Sequence, residues 1–157
     1  MIHILRRATF IFLLLISSVT AYSQELWQNT KFGMSVAEVM QLHKDAVIAE
    51  SPGSYASGLK AKLILPVYKI SGIDFKVDFA FKDDSLQMVR LYTKSEYPDK
   101  DFRKMETLLK KKYGQPIDYN GVSNSMHWMI DGTSITLTNI RDDIIIQYKI
   151  DDQVNKL

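Results

Sequence analysis

The alternation of apolar and polar residues is sharpest in IDFKVDFAF. Ile73, Phe75, Val77, Phe79 and Phe81 fall on one side, and Asp74, Lys76, Asp78 and Ala80 on the other. A period of two over nine residues predicts a strand with one buried face. The β-rich run AKLILPVYKI precedes it, joined by the two-residue turn Ser71-Gly72. Lys82-Asp83-Asp84-Ser85 then turns the chain into LQMVRLYT, a third strand. A similar succession closes the sequence: SMHWMI, Asp131-Gly132, TSITLTNI, Arg141-Asp142-Asp143 and IIIQYKI. Asn120-Gly121 marks the turn ahead of it, because short polar residues followed by glycine suit tight turns.

A period near 3.6 replaces the alternation in two places. Ser35-Val36-Ala37-Glu38 reads as a capping box, with Met34 and Val39 as the two halves of a hydrophobic staple. Val36, Val39 and Met40 share one face, and this short helix is expected to end near His43. In the second helix Asp99 is the expected N-cap, after Pro98. Phe102, Met105, Leu108, Leu109 and Tyr113 form its apolar stripe. Lys110, Lys111 and Lys112 occupy the last turn, where cations suit the helix dipole, and Gly114 and Pro116 end it. Residues 51–58, SPGSYASG, read as a small-residue loop.

The two halves are spaced alike. Gly132 lies 60 residues after Gly72 (132 − 72), Asp142 59 after Asp83 (142 − 83), and Asp99 64 after Ser35 (99 − 35). The expected fold is therefore α+β. Two helix-plus-three-stranded-meander units, about 27–94 and 97–150, would form one antiparallel sheet with the helices packed on one face. A single domain over 24–157 is expected, with the two units sharing a core.

The N-terminus changes the charge argument. MIHILRR, the apolar run ATFIFLLLI and SSVTAYSQ read as a signal peptide over residues 1–23, with cleavage after Ala21 or after Ser23. An uncleaved anchor is the alternative, but the run is shorter than the ~20 residues a spanning helix needs. No membrane span is expected once the leader is gone. Of the 20 Lys+Arg, Arg6 and Arg7 lie in the leader, which leaves 18 against 18 Asp+Glu. A neutral mature chain gives a nucleic-acid partner no electrostatic support. The expected location is the periplasm or the exterior. The chain has no cysteine, which excludes disulfides, thiol nucleophiles, thiolate metal sites and a lipid-anchored cysteine.

Candidate chemistry is sparse. Beyond His3 in the leader, only His43 and His127 occur, at no metal-ligand spacing. Ser54 and Ser57 belong to no nucleophile elbow, and no glycine-rich phosphate loop precedes a helix. Asp83-Asp84, Asp142-Asp143 and Asp151-Asp152 read as solvated turn residues. Catalytic residues, metals and cofactors are therefore expected to be none. The aromatic residues offer more. Trp128 and Tyr148 suit sheet packing. Tyr55 and Tyr68, near the irregular loop, serve equally well as packing residues or as candidates for binding.

Three stretches carry a family resemblance: FGMSVAEV opening the first helix, LLKKKYGQP ending the second, and HWMIDGTSITL, a tryptophan strand entering a hairpin. Across roughly residues 27–150 the chain resembles small exported bacterial α/β modules of the SmpA/BamE outer-membrane assembly type and the tandem β-lactamase-inhibitor-protein type. The resemblance implies a fold. It does not carry over a role in barrel assembly or in inhibition, because lipoprotein anchoring and disulfides common in those classes require cysteine. The functional expectation is an exported, non-catalytic protein-binding module whose partner is another cell-envelope protein. A small apolar-ligand-binding protein is the alternative, and a hydrolase ranks third.

Overall fold

The computed structural model describes residues 24–150; the expected leader and the Asp151-Asp152 pair lie outside these residues. Strands β1 (Glu25–Trp27) and β2 (Thr30–Lys31) form a small hairpin ahead of helix α1 (Val36–Leu42). Strand β3 (Val47–Ile48) precedes the meander β4 (Lys60–Ile70), β5 (Ile73–Lys82) and β6 (Ser85–Lys94). Helix α2 (Pro98–Tyr113) follows, then β7 (Asp118–Asn120), β8 (Ser125–Ile130), β9 (Thr133–Ile140) and β10 (Asp143–Ile150).

The last eight strands make one antiparallel sheet in the order β3-β4-β5-β6-β10-β9-β8-β7. This overturns the expected α+β pair of helix-plus-meander units. The outer strands β3 and β7 extend the sheet beyond the six expected strands. Strand β10 pairs with β6 along seven residues, from Asp143↔Lys94 to Lys149↔Met88, so hydrogen bonding crosses the middle without a break. Helices of 7 and 16 residues are minor parts of a fold that is mostly β.

Turn chemistry explains the hairpins. Ser71 and Gly72 have φ of 50° and 84°, and Asp131 and Gly132 have 47° and 81°. Positive φ at both central residues matches the right-handed twist of the strands they join. At the outer edge, β3 reaches only as far as Leu63 and Ile64 of β4. Pro66 lies just beyond, where the absence of an N–H disrupts no pairing on that side.

Alternation in each strand, aligned by register, sorts the sheet into two faces. On one face Leu63, Phe79, Val89, Tyr148, Ile135 and Trp128 are cross-strand neighbours from β4 to β8. A second row runs Leu65, Val77, Leu91, Ile146, Leu137 and Met126. All twelve are buried and belong to one core cluster. Burying each large side chain is worth on the order of 1.5–3 kcal/mol, so this face dominates stability. Phe102, Met105 and Leu109 of α2 and Val39 of α1 join the same cluster, which places both helices on this face.

The helix ends differ in how they are held. Around Ser35 the expected capping box is present: the Glu38 N–H donates to Ser35 Oγ at 3.3 Å, and the Ser35 N–H donates to Glu38 Oε2 at 2.8 Å. His43 is the C-cap. The N-cap of α2 is Tyr97 rather than the expected Asp99, because Pro98, which needs no N–H partner, takes the first helical position. Ser95 does the tethering instead, accepting from the Tyr97 N–H at 2.9 Å and donating to Asp101 Oδ2 at 2.6 Å. At the other end the Trp128 indole donates to the Gly114 carbonyl at 2.9 Å and ties α2 to β8. Among the described residues no helix is long and apolar enough to cross a membrane.

Candidate functional site

The opposite face of the sheet carries no helix, and its rows are of another kind. Asp78, Arg90, Gln147, Thr136 and His127 are successive cross-strand neighbours from β5 to β8. One row over run Lys76, Tyr92, Ile145, Thr138 and Ser125. Most of these side chains are half-buried, and Asp78 is only 6% exposed.

The loop between β3 and β4 folds onto this face and delivers Tyr55. A single 3-10 turn, Ala56–Gly58, shapes the loop tip. Backbone bonds from Tyr55 N–H to the Leu59 carbonyl (2.8 Å) and from Ala61 N–H to the Gly53 carbonyl (2.9 Å) close its neck. The Tyr55 hydroxyl donates to Asp78 Oδ2 at 2.5 Å, and the Tyr92 hydroxyl approaches Oδ1 at 3.4 Å. Burial, followed by the bond to Asp78, raises the Tyr55 phenol well above its ordinary pKa, so Tyr55 stays a donor.

Arg90 completes the cluster. Its guanidinium carbon lies 5.4 Å from the Tyr55 ring centroid and 5.8 Å from that of Tyr92, within cation–π range of both. Although Asp78 is its neighbour in β5, the tyrosines hold that carboxylate, and Arg90 has no hydrogen bond or ion pair among the described residues. Its Nε is buried without an acceptor. The side chain walls a groove of about 200 Å³ that Thr136, Thr138, Ile145 and Gln147 also line. Gln147 is shared with a second depression of about 360 Å³ that reaches Lys82 and Lys149.

The structure separates the two tyrosines singled out by sequence. Tyr55 lies in this cluster. Tyr68 packs against the core of the helix-bearing face, with its ring edge-on to Trp27 at 4.8 Å and its hydroxyl accepting from Gln28 Nε2 at 2.9 Å. Near it, burial and then the neighbouring Tyr113 raise the pKa of Tyr148. Asp78, Arg90, Tyr92 and Gln147 were not singled out by sequence. The available signal was the polar phase of their strands, but it becomes a site only when the register of β5, β6 and β10 is known.

Neither histidine bonds a carboxylate. His43 stacks on Trp27 with centroids 5.4 Å apart and an interplanar angle of 15°, its Nε2 is buried without a partner, and burial lowers its pKa. His127 Nε2 and Ser134 Oγ are 2.9 Å apart. Among the described residues no three His, Asp or Glu side chains gather as a metal site would require.

Comparison with known proteins finds one relationship. No curated protein and no solved structure matches the chain. Neither the SmpA/BamE class nor the tandem inhibitor class is shown to be related to it. The match covers residues 25–157, almost everything after the expected leader, and by it the chain belongs to the TP0088 domain family.

Proposed function

We propose that this chain is an exported, non-catalytic binding module that docks another cell-envelope protein on the helix-free face of its sheet. One observation carries the reading: a charged arginine, held by two tyrosine rings and left without an acceptor, sits in a groove on a face that no helix covers. Aromatic and arginine side chains at such positions are the residue types that dominate protein interfaces. The non-catalytic part of the reading is supported by the histidines, one stacked on Trp27 and the other bonded to a serine. The apolar-ligand reading lacks comparable support, because fully buried Leu63, Phe79 and Trp128 fill the layer between sheet and helices.

The test is site-specific photo-crosslinking in cells. A photoreactive residue at Thr136 is expected to give one discrete adduct with an envelope protein. The same residue at Lys111, exposed near the end of α2, is expected to give none. Adducts from neither position, or equal adducts from both, would sink the reading. Mass spectrometry of the envelope-fraction protein checks export separately: the mature N-terminus is expected at Tyr22 or Gln24.

A further inference from the structure

Resting on that docking reading, we infer that the partner is recognised through an acidic, extended peptide segment, with one of its carboxylates on Arg90 and an apolar neighbour against Ile145. The two depressions that meet at Gln147 form a furrow across β9, β10 and β6. Its cations are Arg90, Lys149 and Lys82, and no Asp or Glu lines it. The nearby acid, Asp78, is buried, and both its oxygens face tyrosine hydroxyls. Exposed Asp74, Asp118 and Asp143 lie elsewhere on the same face, so it is the furrow itself, rather than the whole face, that offers an approaching molecule positive charge.

Geometry narrows the ligand further. Stacking between Tyr55 and Tyr92 restricts the guanidinium, so little side-chain freedom remains to be lost on binding. A restricted planar fork matches a carboxylate by two parallel hydrogen bonds. Thr136, Thr138 and Gln147 add hydroxyl and amide groups that suit a peptide backbone. Half-buried, apolar Ile145 and Leu59 lie along the same furrow as the cations. A bare anion would leave those surfaces unused, whereas a peptide mixing acidic and apolar residues covers both.

The experiment is an NMR titration of the protein with the blocked peptide Glu-Leu-Glu-Leu-Glu, with its glutamine counterpart, and with inorganic phosphate. The expected result is saturable shifts at the Arg90 Nε–H and at the Thr136 and Thr138 amides, with affinity about tenfold or more above that for the glutamine peptide. Arg90→Gln is expected to lose that preference with an unchanged fold by amide spectrum. Lys149→Gln, in the second depression rather than in the groove beside Arg90, is expected to weaken binding less. Equal binding of both peptides, unchanged binding by Arg90→Gln, or equal shifts with phosphate alone would overturn the inference. A dimer of the protein that Arg90→Gln abolishes would overturn it too, in favour of a second copy. If the peptide fails while crosslinking from Thr136 still captures an envelope protein, only the acidic-segment inference falls and the docking face stands.

Discussion

On one face of the sheet Leu63, Phe79, Val89, Tyr148, Ile135 and Trp128 run side by side, all buried beneath two helices. One residue out of phase, Asp78, Arg90, Gln147, Thr136 and His127 cross the same strands on the other face, and only Asp78 is buried. The strands are shared, so backbone hydrogen bonding is common to both faces and cannot distinguish them. Side chains do. The first face supplies apolar burial. The second holds a half-buried arginine and a buried carboxylate whose desolvation costs free energy unless each is well partnered. Asp78 is so partnered and Arg90 is not, which makes Arg90 a group better suited to recognition than to stability.

The contrast is open to attack by substitution. Phe79→Ala should cost about 3–5 kcal/mol in urea denaturation, whereas Thr136→Ala, on the other face, should stay within about 0.5 kcal/mol. Comparable losses at both sites would erase the distinction. Tyr55→Phe removes the donor to buried Asp78 and should cost about 1–3 kcal/mol. A negligible loss would mean that Tyr92 suffices to satisfy the carboxylate. Ser35→Ala takes away the α1 cap and should cost ~1 kcal/mol without altering binding to the far face. Weakened crosslinking from Thr136 in that variant, with stability intact, would show that α1 communicates with the docking face.

His43 gives the smallest and most specific effect. Burial lowers its folded-state pKa below the ordinary 6.5, so the unfolded chain binds the proton more readily. Its contribution is fully present above the unfolded pKa and is lost as pH falls through the folded one. The urea midpoint should therefore drop as pH falls below the ordinary 6.5 and on through the lowered folded-state value, and His43→Phe should flatten that drop. An unchanged slope in the variant would remove His43 as the cause.

Much of the helix-bearing face was legible in the chain. Phe75, Val77 and Phe79 repeat at a period that only a one-sided strand produces, and Ser35 with Glu38 forms a cap within four residues. The fold class was not legible. Val47-Ile48 is too short to show any period, and Asp118–Asn120 is no more informative, yet both extend the sheet. The expected pair of helix-plus-meander units also gave the helices too much weight in a fold that is mostly β. Tyr55 stood out as an aromatic residue in an irregular loop. Its partner Asp78 lies 23 residues away, and no local rule reveals where a loop will settle. Tyr68 had similar surroundings in the sequence and went to the other face. The β4 register, with its bulge between Leu65 and Tyr68, determines that outcome.

The place of β10 bears on how the chain reaches this state. The last of the described strands in chain order is fourth from one edge of eight, bonded to β6 and β9 on either side. Until Asp143–Ile150 has emerged, the meander β4-β5-β6 ends in an open edge at β6, and β8-β9 has no link to it. Closing the centre joins residues such as Tyr92 and Ile145, 53 positions apart (145 − 92), and contacts of such separation form late and slowly. The sheet therefore cannot close across its centre until Asp143–Ile150 is available to pair on both sides.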